Sequence, residues 1–301
     1  GADRVRVLPH VSSVTLACAR MGWNAHDTEV VSLVTAPVHT AVRTGGRAVV
    51  LCRDAATPAK LAAVLTETGR GASEFTVLEL LGGPGERIRT RRAADWASAP
   101  PSVDGLNVVA VRYLPEEPFG PIPPDAAFRH DGQITKHATR AVTLAALDPR
   151  PGELLWDVGS GSGSIAVQWC LGGTGCRAVA FEVNPERRTR IADNARRFGA
   201  DIELRGRAPQ DFDGVAPPTA IFIGGGVTNP GLVEACLDRV TSGGRLVVNA
   251  VTAESEARIV DWHSRLGGEL SRFQHYRGEP LGNFTGWRPA MPITQWVVSA
   301  P

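Results

Sequence analysis

Residues 154–164 constrain the fold more than any other part of this sequence. An apolar run, interrupted by Asp157, leads into Gly159, Gly161 and Gly163, and a helical pattern begins at Ser164. Glycine allows a sharp turn and a close approach by a ligand, and the free N–H groups of the next helix face the same space. The pattern therefore predicts the strand, ligand-binding loop and helix of a Rossmann-like α/β domain.

The ligand of this loop is not fixed by the glycines alone. Gly161, Gly163 and Ala166 also satisfy the relaxed G-x-G-x-x-G/A pattern of dinucleotide sites, and a loop without any ligand is a further alternative. Asp157 places a carboxylate where it would repel a pyrophosphate but would suit the cationic amino group of S-adenosylmethionine. Glu182 ends the next predicted strand, where an acidic side chain accepts ribose hydroxyls. Together these residues favour S-adenosylmethionine.

Strand and helix patterns alternate along the chain, and a proline-rich stretch divides them. Five prolines lie within residues 113–124, a density that predicts an extended linker without helix or central strand. Residues 1–112 are predicted to form an incomplete α/β domain, and residues 125–301 a doubly wound, mainly parallel sheet. The chain begins at Gly1 without a methionine, which we interpret as a processed or truncated start.

The individual elements follow from the periodicity of apolar residues. In the first domain we predict helices at residues 12–21 and 57–68, the latter capped by Thr57 with Pro58 at its first position. The strands predicted there are residues 5–8, 28–33, 47–52, 75–80 and 106–111. In the second domain we predict helices at residues 136–147, 164–171 and 185–198, and strands at residues 153–158, 176–182, near 202, 220–223 and 245–249. Strands at residues 270–276 and 294–299 are expected to follow without a full crossover helix and to pair antiparallel.

A second glycine-rich segment follows the strand predicted at residues 220–223. Gly224, Gly225 and Gly226 come directly after it, and parallel strands bring their carboxyl ends to the same edge of the sheet. Gly224 and Gly225 are therefore predicted to border a substrate beside the first glycine loop, with a plain flexible turn as the alternative.

Composition excludes several classes of function. The formal net charge is +1, from 32 basic and 31 acidic residues, which gives no electrostatic reason to expect nucleic acid or a membrane as partner. No run of about 20 apolar residues is present. The five cysteines form no C-x-x-C pair and the seven histidines show no ligand spacing. We predict a cytoplasmic protein without a metal.

Several separated motifs resemble one family, the decarboxylating precorrin methyltransferases of cobalamin biosynthesis. They are DGQITK at residues 131–136, the glycine loop at 157–164, IFIGG at 221–225 and FTGWRPAMP at 284–292. Residues 1–112 resemble part of a tetrapyrrole C-methyltransferase, through residues 11–13, 80–87 and 106–109. The resemblance implies a class I S-adenosylmethionine methyltransferase domain preceded by an incomplete tetrapyrrole-methylase lobe.

The resemblance also implies a reaction and a set of cofactor contacts. Such enzymes methylate a precorrin at C15 and remove the carboxyl of its C12 acetate, the step from precorrin-6Y to precorrin-8, while a complete first domain methylates C5. We expect C5 methylation to be absent, because the glycine-rich lobe of that domain lies before Gly1. Besides Asp157, the implied cofactor contacts are Thr135, Gly159, Ser160, Gly161, Ser162, Gly163, Glu182 and Ala208. Arg207 and Thr219 depart from the family pattern, which commonly has Asp at both positions.

The polycarboxylate substrate directs attention to basic and aromatic residues. Lys136, Arg140, Arg277 and Arg288 are candidates to pair with carboxylates, with solvated surface charge as the alternative for each. His137 is a candidate for proton transfer or a surface histidine. Trp287 is a candidate to lie on the flat macrocycle or a core aromatic residue. The sequence identifies no catalytic residue.

Two other functions stay open at this point. One is a methyltransferase of the same fold that acts on RNA or another small metabolite, although the near-neutral charge and the lack of an Asn/Asp-Pro-Pro-Tyr motif disfavour it. The other is a cofactor-independent assembly partner. An incomplete first domain would expose strand edges and apolar surface, so a homo-oligomer is expected.

Overall fold

Two α/β units make up the computed structural model, which describes residues 10–117, 120 and 122–300. The first unit contains the described residues before Gly120 together with Arg196–Gly199, and the second contains the rest. The predicted strand at residues 5–8 and two of the linker prolines, Pro118 and Pro121, lie outside the described residues. None of the helices in the described ranges combines the length and apolar character that crossing a membrane requires.

The first unit is built around a mixed sheet of five strands in the order β1-β2-β5-β3-β4. Only β1 and β2 pair in parallel, and the other neighbours are antiparallel. Its elements are α1 (Ser13–Met21), β1 (Glu29–Ser32), β2 (Arg47–Leu51), α2 (Thr57–Glu67), β3 (Glu74–Glu79), β4 (Arg87–Arg92), α3 (Ala93–Ser98) and β5 (Asn107–Arg112).

Strict alternation along β2, β3 and β5 gives this sheet two apolar faces. Val49 and Leu78 pack with α1 on one face, while Val50 and Val77 pack with α2 and α3 on the other. Helix α1 begins after Ser12, whose Oγ accepts a hydrogen bond from the N–H of Thr15. Within residues 10–117, the predicted helices and strands of this unit are found within two residues of their expected limits.

The second unit carries a seven-stranded sheet and a separate two-stranded ribbon. Its elements are α4 (His137–Leu147), β6 (Leu154–Val158), α5 (Ser164–Gly172), β7 (Arg177–Phe181), α6 (Pro185–Phe198), β8 (Ile202–Arg205), β9 (Ala220–Ile223), α7 (Leu232–Leu237), β10 (Arg245–Ala250), α8 (Ala253–Leu266), β11 (Glu269–Phe273), β12 (Tyr276–Leu281), β13 (Phe284–Pro289) and β14 (Ile293–Ser299). The strands run β11-β14-β10-β9-β6-β7-β8, and β12 pairs only with β13.

The direction of the chain reverses between β6 and β9, which creates the crevice where open α/β sheets bind ligands. From β6 the chain moves outward to β7 and β8, then crosses back to β9 and β10, all in parallel. Buried side chains cover both faces of this sheet. Trp156, Phe181 and Phe212 pack on one face, and Leu155 and Trp169 on the other.

The structure confirms the Rossmann-like class but corrects several local predictions. Helix α8 lies between β10 and β11, so the late strands do follow a full helix, although β11 and β14 pair antiparallel as expected. Thr57 is already helical, and the carboxylate of Asp54 accepts the N–H groups of Ala56 and Thr57 instead. Strands β4, β12 and β13 and helix α3 were not predicted.

Candidate functional site

A cavity of about 940 Å³ opens at the carboxyl ends of β6 and β9, within the second unit. Most of the predicted site residues line it: Thr135, Lys136, Gly159, Ser160, Gly161, Ser162, Glu182, Ala208, Gly224, Gly225, Arg277 and Arg288. Two walls differ in construction. The strand-edge wall consists of Gly159–Ser162, Glu182 and Gly224–Gly226, together with Asp157, which is buried directly behind the loop. The hairpin wall consists of His275, Arg277, Glu279 and Arg288.

The two glycine loops touch at the strand-edge wall. Gly159 has a φ of +70°, and a Cβ added there would lie 2.9 Å from the backbone N and O of Gly225. A side chain is also disfavoured at Gly163, the N-cap of α5, because an added Cβ would lie 2.8 Å from the side chain of Ile191. By contrast, a Cβ on Gly161 would meet nothing within 4 Å, although its φ of +60° also favours glycine. Gly161 therefore keeps space open on the cavity side.

Asp157 lies buried behind the loop rather than on the cavity surface. One carboxylate oxygen accepts hydrogen bonds from Ser160 Oγ at 2.6 Å and from the N–H of Ala166 at 3.3 Å. The pKa of Asp157 is raised to about 6, mainly by burial; the two hydrogen-bond donors oppose this rise, and the nearby charge of Glu182 adds to it. A cation in the cavity would stabilise the charged form.

Glu182 is buried at the end of β7 and is held by backbone groups. Its two oxygens accept the N–H of Gly161 and the N–H of Asn184, each at 2.9 Å. A carboxylate with this fixed orientation keeps lone pairs free for hydroxyl donors. It therefore has the geometry expected of a residue that binds a ribose.

The residues present fit a ligand that has both a cationic amino group and ribose hydroxyls. Among the described residues, Asp157 Oδ1 and Ser162 Oγ are buried and have no hydrogen-bond partner, an arrangement that needs an explanation in a folded protein. Both atoms belong to the glycine-loop segment. S-adenosylmethionine would bring the positive charge and the donors that these atoms lack.

The motif at residues 131–136 borders the same cavity. Asp131 pairs with Arg187 at 2.9 Å and with Arg190 at 3.0 Å, both on α6. The Arg187 guanidinium, together with the N–H of Gln133, holds the pKa of Asp131 below its usual range. Arg187 also donates to Gln133 Oε1 at 2.6 Å. This pairing places Thr135 and Lys136 at the cavity. Arg187 is not predictable from the sequence, because arginines on an exposed helix face carry no distinguishing signal.

The hairpin wall presents two arginines directly opposite each other. Arg277 on β12 and Arg288 on β13 are cross-strand partners, so their side chains leave the same face of the ribbon. Glu279 Oε2 lies 3.2 Å from Arg288 Nη1 and offsets part of this charge. Arg277 has no ion pair with any described residue. Opposed like charges destabilise a ribbon, and an anion between them would relieve that repulsion.

Three predicted substrate contacts do not line the cavity. Arg140 is fully buried: it pairs with Asp125 at 2.5 Å, donates to Gln168 at 2.9 Å and lies over the ring of Phe128, so the prediction that it pairs with substrate is wrong. His137 turns its Nε2 to the carbonyl of Ile122 at 3.3 Å. The structure contradicts the alternative that Trp287 is a core aromatic residue, and it places Trp287 outside the cavity lining.

Trp287 is 76% exposed and belongs neither to the core nor to the cavity lining. Adjacent residues of a strand point to opposite faces, so Trp287 leaves the ribbon on the side away from Arg288. Of the two departures from the family pattern, Arg207 is exposed beside Ala208. Thr219 donates its hydroxyl to the carbonyl of Leu154 at 3.2 Å. No group of three or more His, Cys, Asp or Glu among the described residues is arranged to hold a metal.

Comparison with known proteins identifies the family. The precorrin methyltransferase domain family matches residues 126–300. A precorrin-6Y C5,15-methyltransferase (decarboxylating) from Mycobacterium tuberculosis is 64% identical over 300 residues, which are 99% of this chain and 77% of the relative. This chain belongs to that family. A Sinorhizobium member is 46% identical over 97% of this chain and 73% of its own length.

A solved structure of the same family agrees with the second unit. The C-terminal domain of precorrin-6Y C5,15-methyltransferase from Rhodobacter capsulatus matches with a TM-score of 0.57 and 42% identity. The match covers 60% of this chain and all of that domain. The predicted resemblance and the enzyme class are thereby confirmed, and the methyltransferase assignment confirms S-adenosylmethionine over a dinucleotide.

Proposed function

We propose that the second unit transfers a methyl group from S-adenosylmethionine to C15 of a precorrin and removes the carboxyl of the C12 acetate. The relatives are named as decarboxylating precorrin-6Y C5,15-methyltransferases. The observation that carries the proposal is one cavity with two complementary walls. Unpartnered acceptors lie at the strand-edge wall, and unpaired positive charge lies at the hairpin wall.

The strand-edge wall would bind the cofactor. Glu182 accepts the ribose hydroxyls, Asp157 attracts the amino group by its charge from behind the loop, and the backbone of Gly159–Ser162 follows the part of the cofactor between them. When bound, the cofactor supplies a methyl group that is already electrophilic. The protein then needs mainly to hold the accepting carbon in line with that methyl group, and we assign no general base.

Lys136, Arg277 and Arg288 would bind carboxylates of the macrocycle, since all three line the cavity and guanidinium groups match carboxylates in bidentate geometry. Gly224 and Gly225 would border the ring, because a bare backbone allows a flat ligand to approach. Thr135 and Ala208, which also line the cavity, would add contacts to the cofactor.

We further propose the domain limits 1–112 and 125–301 with a linker between them, a cytoplasmic location and a homo-oligomer. The two contact-defined units support the division. Four exposed apolar side chains on or beside the ribbon, those of Leu281, Phe284, Trp287 and Met291, support a contact between copies of the chain.

Mass spectrometry of the product tests the proposed function. The chain is incubated with precorrin-6Y and S-adenosylmethionine, with a reaction lacking S-adenosylmethionine as control. We expect one added methyl group together with the loss of carbon dioxide. Two added methyl groups would assign C5 methylation to the first unit as well. An unchanged substrate, with the cofactor bound normally in calorimetry, would contradict the proposed substrate.

A further inference from the structure

Asn249 is a polar residue in an otherwise apolar central strand. Strand β10 contributes Leu246, Val247 and Val248 to the two cores, and asparagine is disfavoured at such positions. Asn249 nevertheless occupies the carboxyl end of β10, next to the strand that leads into Gly224, and it lines the cavity. Neither the glycine-loop pattern nor the family resemblance indicates a role for it.

Two buried neighbours fix the orientation of the Asn249 amide. The hydroxyl of Thr143 donates its single proton to the carbonyl of Thr139 at 2.8 Å, so it can only accept from Asn249, whose Nδ2 lies 2.8 Å away. Gln295, the cross-strand partner of Asn249, donates its Nε2 to Asn249 Oδ1 at 2.9 Å. These bonds use the oxygen and one N–H of the amide. Within the described residues the second N–H has no acceptor, and it remains for a ligand in the cavity.

The neighbours of Asn249 on its own strand and on β14 are uncharged. Val251, just after β10, and Ile293, the first residue of β14, also line the cavity. The one charged residue of β10, Arg245, lies at the other end of the strand and pairs with Glu153. The cavity thus offers cations at the hairpin wall and one neutral, preorganised donor at Asn249.

We propose that Asn249 binds the carboxylate that the enzyme removes, whereas the arginines bind carboxylates that the product keeps. The inference rests on the proposed function. In the step itself, the C–C bond between the acetate methylene and the carboxyl breaks, and its electron pair enters the conjugated ring. Carbon dioxide leaves, and a proton from water takes the vacated position, so that a methyl group remains on C12.

The charge movement explains why a neutral donor suits this step. Negative charge leaves the carboxylate and spreads into the ring as the bond breaks. An arginine would therefore stabilise the starting carboxylate more than the transition state, and only the difference between them changes the rate. A single neutral N–H stabilises the starting carboxylate less than an arginine does, and it still fixes the orientation of the carboxylate. Gln295 and Thr143 act as positioning residues, because they hold the amide in place.

The experiment compares Asn249→Ala and Asn249→Ser with the unchanged chain, using precorrin-6Y and S-adenosylmethionine. Mass spectrometry measures the ratio of methylated product that retains the carboxyl to methylated product that has lost it. We expect this ratio to rise about ten- to hundredfold in Asn249→Ala, because the carboxylate is no longer held in the orientation that bond cleavage requires. Asn249→Ser, which keeps a donor, should restore part of the loss. Gln295→Met should give an intermediate ratio.

Cofactor affinity, measured by calorimetry in the absence of precorrin, should be unchanged in all three variants and also shows that they are folded. Equal loss of methylation and decarboxylation in Asn249→Ala would overturn the role of Asn249 alone, and so would an unchanged ratio. An unchanged chain that neither methylates nor decarboxylates precorrin-6Y would instead overturn the proposed function, and this inference with it.

Discussion

At the strand-edge wall the carboxylates of Asp157 and Glu182 are buried and held by backbone or hydroxyl donors, whereas at the hairpin wall Arg277 and Arg288 are exposed on a ribbon of two strands. The first wall belongs to the central sheet and has apolar cores behind it. Among the described residues, the two strands of the hairpin wall pair only with each other, and isolated two-stranded ribbons are only marginally stable.

This difference indicates that the two walls bind different ligands. Buried carboxylates in fixed orientations can recognise only one arrangement of donors, which suits a ligand that is the same in every reaction cycle. Exposed arginines on a ribbon can adjust to a large polyanion, and solvent ions weaken their attraction. We therefore expect changes at the strand-edge wall to alter stability and cofactor binding, and changes at the hairpin wall to alter substrate affinity alone.

The largest effect is expected from Gly159→Ala. The new Cβ would meet the backbone of Gly225 at 2.9 Å at a φ of +70°, so both loops must move, at a cost of about 3–5 kcal/mol in the free energy of unfolding. Cofactor affinity should fall more than about a hundredfold. Urea unfolding and calorimetry measure the two quantities. Gly214→Ala is the control, since it has a φ of +75° but nothing within 4 Å. Equal losses in both variants would contradict the proposed contact between the loops.

Arg140→Met should lower the free energy of unfolding by about 3 kcal/mol, because it leaves Asp125 and Gln168 without their buried partner. The methionine keeps apolar contact with Phe128, and the KM for precorrin should not change. Arg129→Gln provides the control: Arg129 pairs with Asp193 in solvent, so its loss should be within about 0.5 kcal/mol. A raised KM without loss of stability in Arg140→Met would restore the prediction that Arg140 binds substrate.

Asp157→Asn should separate stability from binding. The pKa of Asp157 is raised to about 6 in the folded protein, so its contribution to stability is fully present below the unfolded pKa and is lost as the pH rises through about 6. Without cofactor, the asparagine variant should match the parent near pH 4 and exceed it by up to about 3 kcal/mol at pH 7.5. Urea unfolding at both pH values measures this change.

The same Asp157→Asn variant should bind S-adenosylmethionine about tenfold more weakly, because the charged partner of its amino group is gone. Ser160→Ala is a useful comparison, since it removes one donor to Asp157 at 2.6 Å but leaves the carboxylate in place. An asparagine variant that is no more stable than the parent at pH 7.5 would show that burial does not raise the pKa of Asp157 in the cofactor-free protein.

The strand-edge wall was largely predictable because its signals are local. A strand followed by glycines and a helix requires only neighbouring residues, and Asp157 and Glu182 occupy fixed places in that pattern. The error at Arg140 also has a local cause. Arg140, Thr143 and Leu147 are all buried on α4 at spacings i, i+3 and i+7, which mark the inward face of a helix. This periodicity indicates that Arg140 is buried, whereas its charge alone suggests a role in binding substrate.

The hairpin wall was not predictable by the same means. Gly278 and Pro280 interrupt β12, and Gly286 interrupts β13, so the ribbon shows no alternation of apolar residues. The two strands are held by their pairing with each other and not by a buried apolar face. Asn249 was missed for a different reason: its role depends on Thr143 and Gln295, which are distant in sequence and become neighbours only in the folded sheet.

The smallest effects are expected from Arg277→Gln and Arg288→Gln. Each should raise the KM for precorrin about tenfold at low salt, and less at high salt, because the lost attraction is partly screened. Stability should stay within about 0.5 kcal/mol, and Arg277→Gln should not lower it at all, since it removes the repulsion between cross-strand partners. Arg272→Gln, which changes an exposed arginine paired with Glu256 outside the cavity, is the control.

The double variant of Arg277 and Arg288 shows whether the two arginines bind the same carboxylate. If both arginines bind one carboxylate, the two losses are less than additive; if each binds its own, they add. If neither change affects the KM, the hairpin wall does not bind the substrate, and the substrate site is limited to the strand-edge wall.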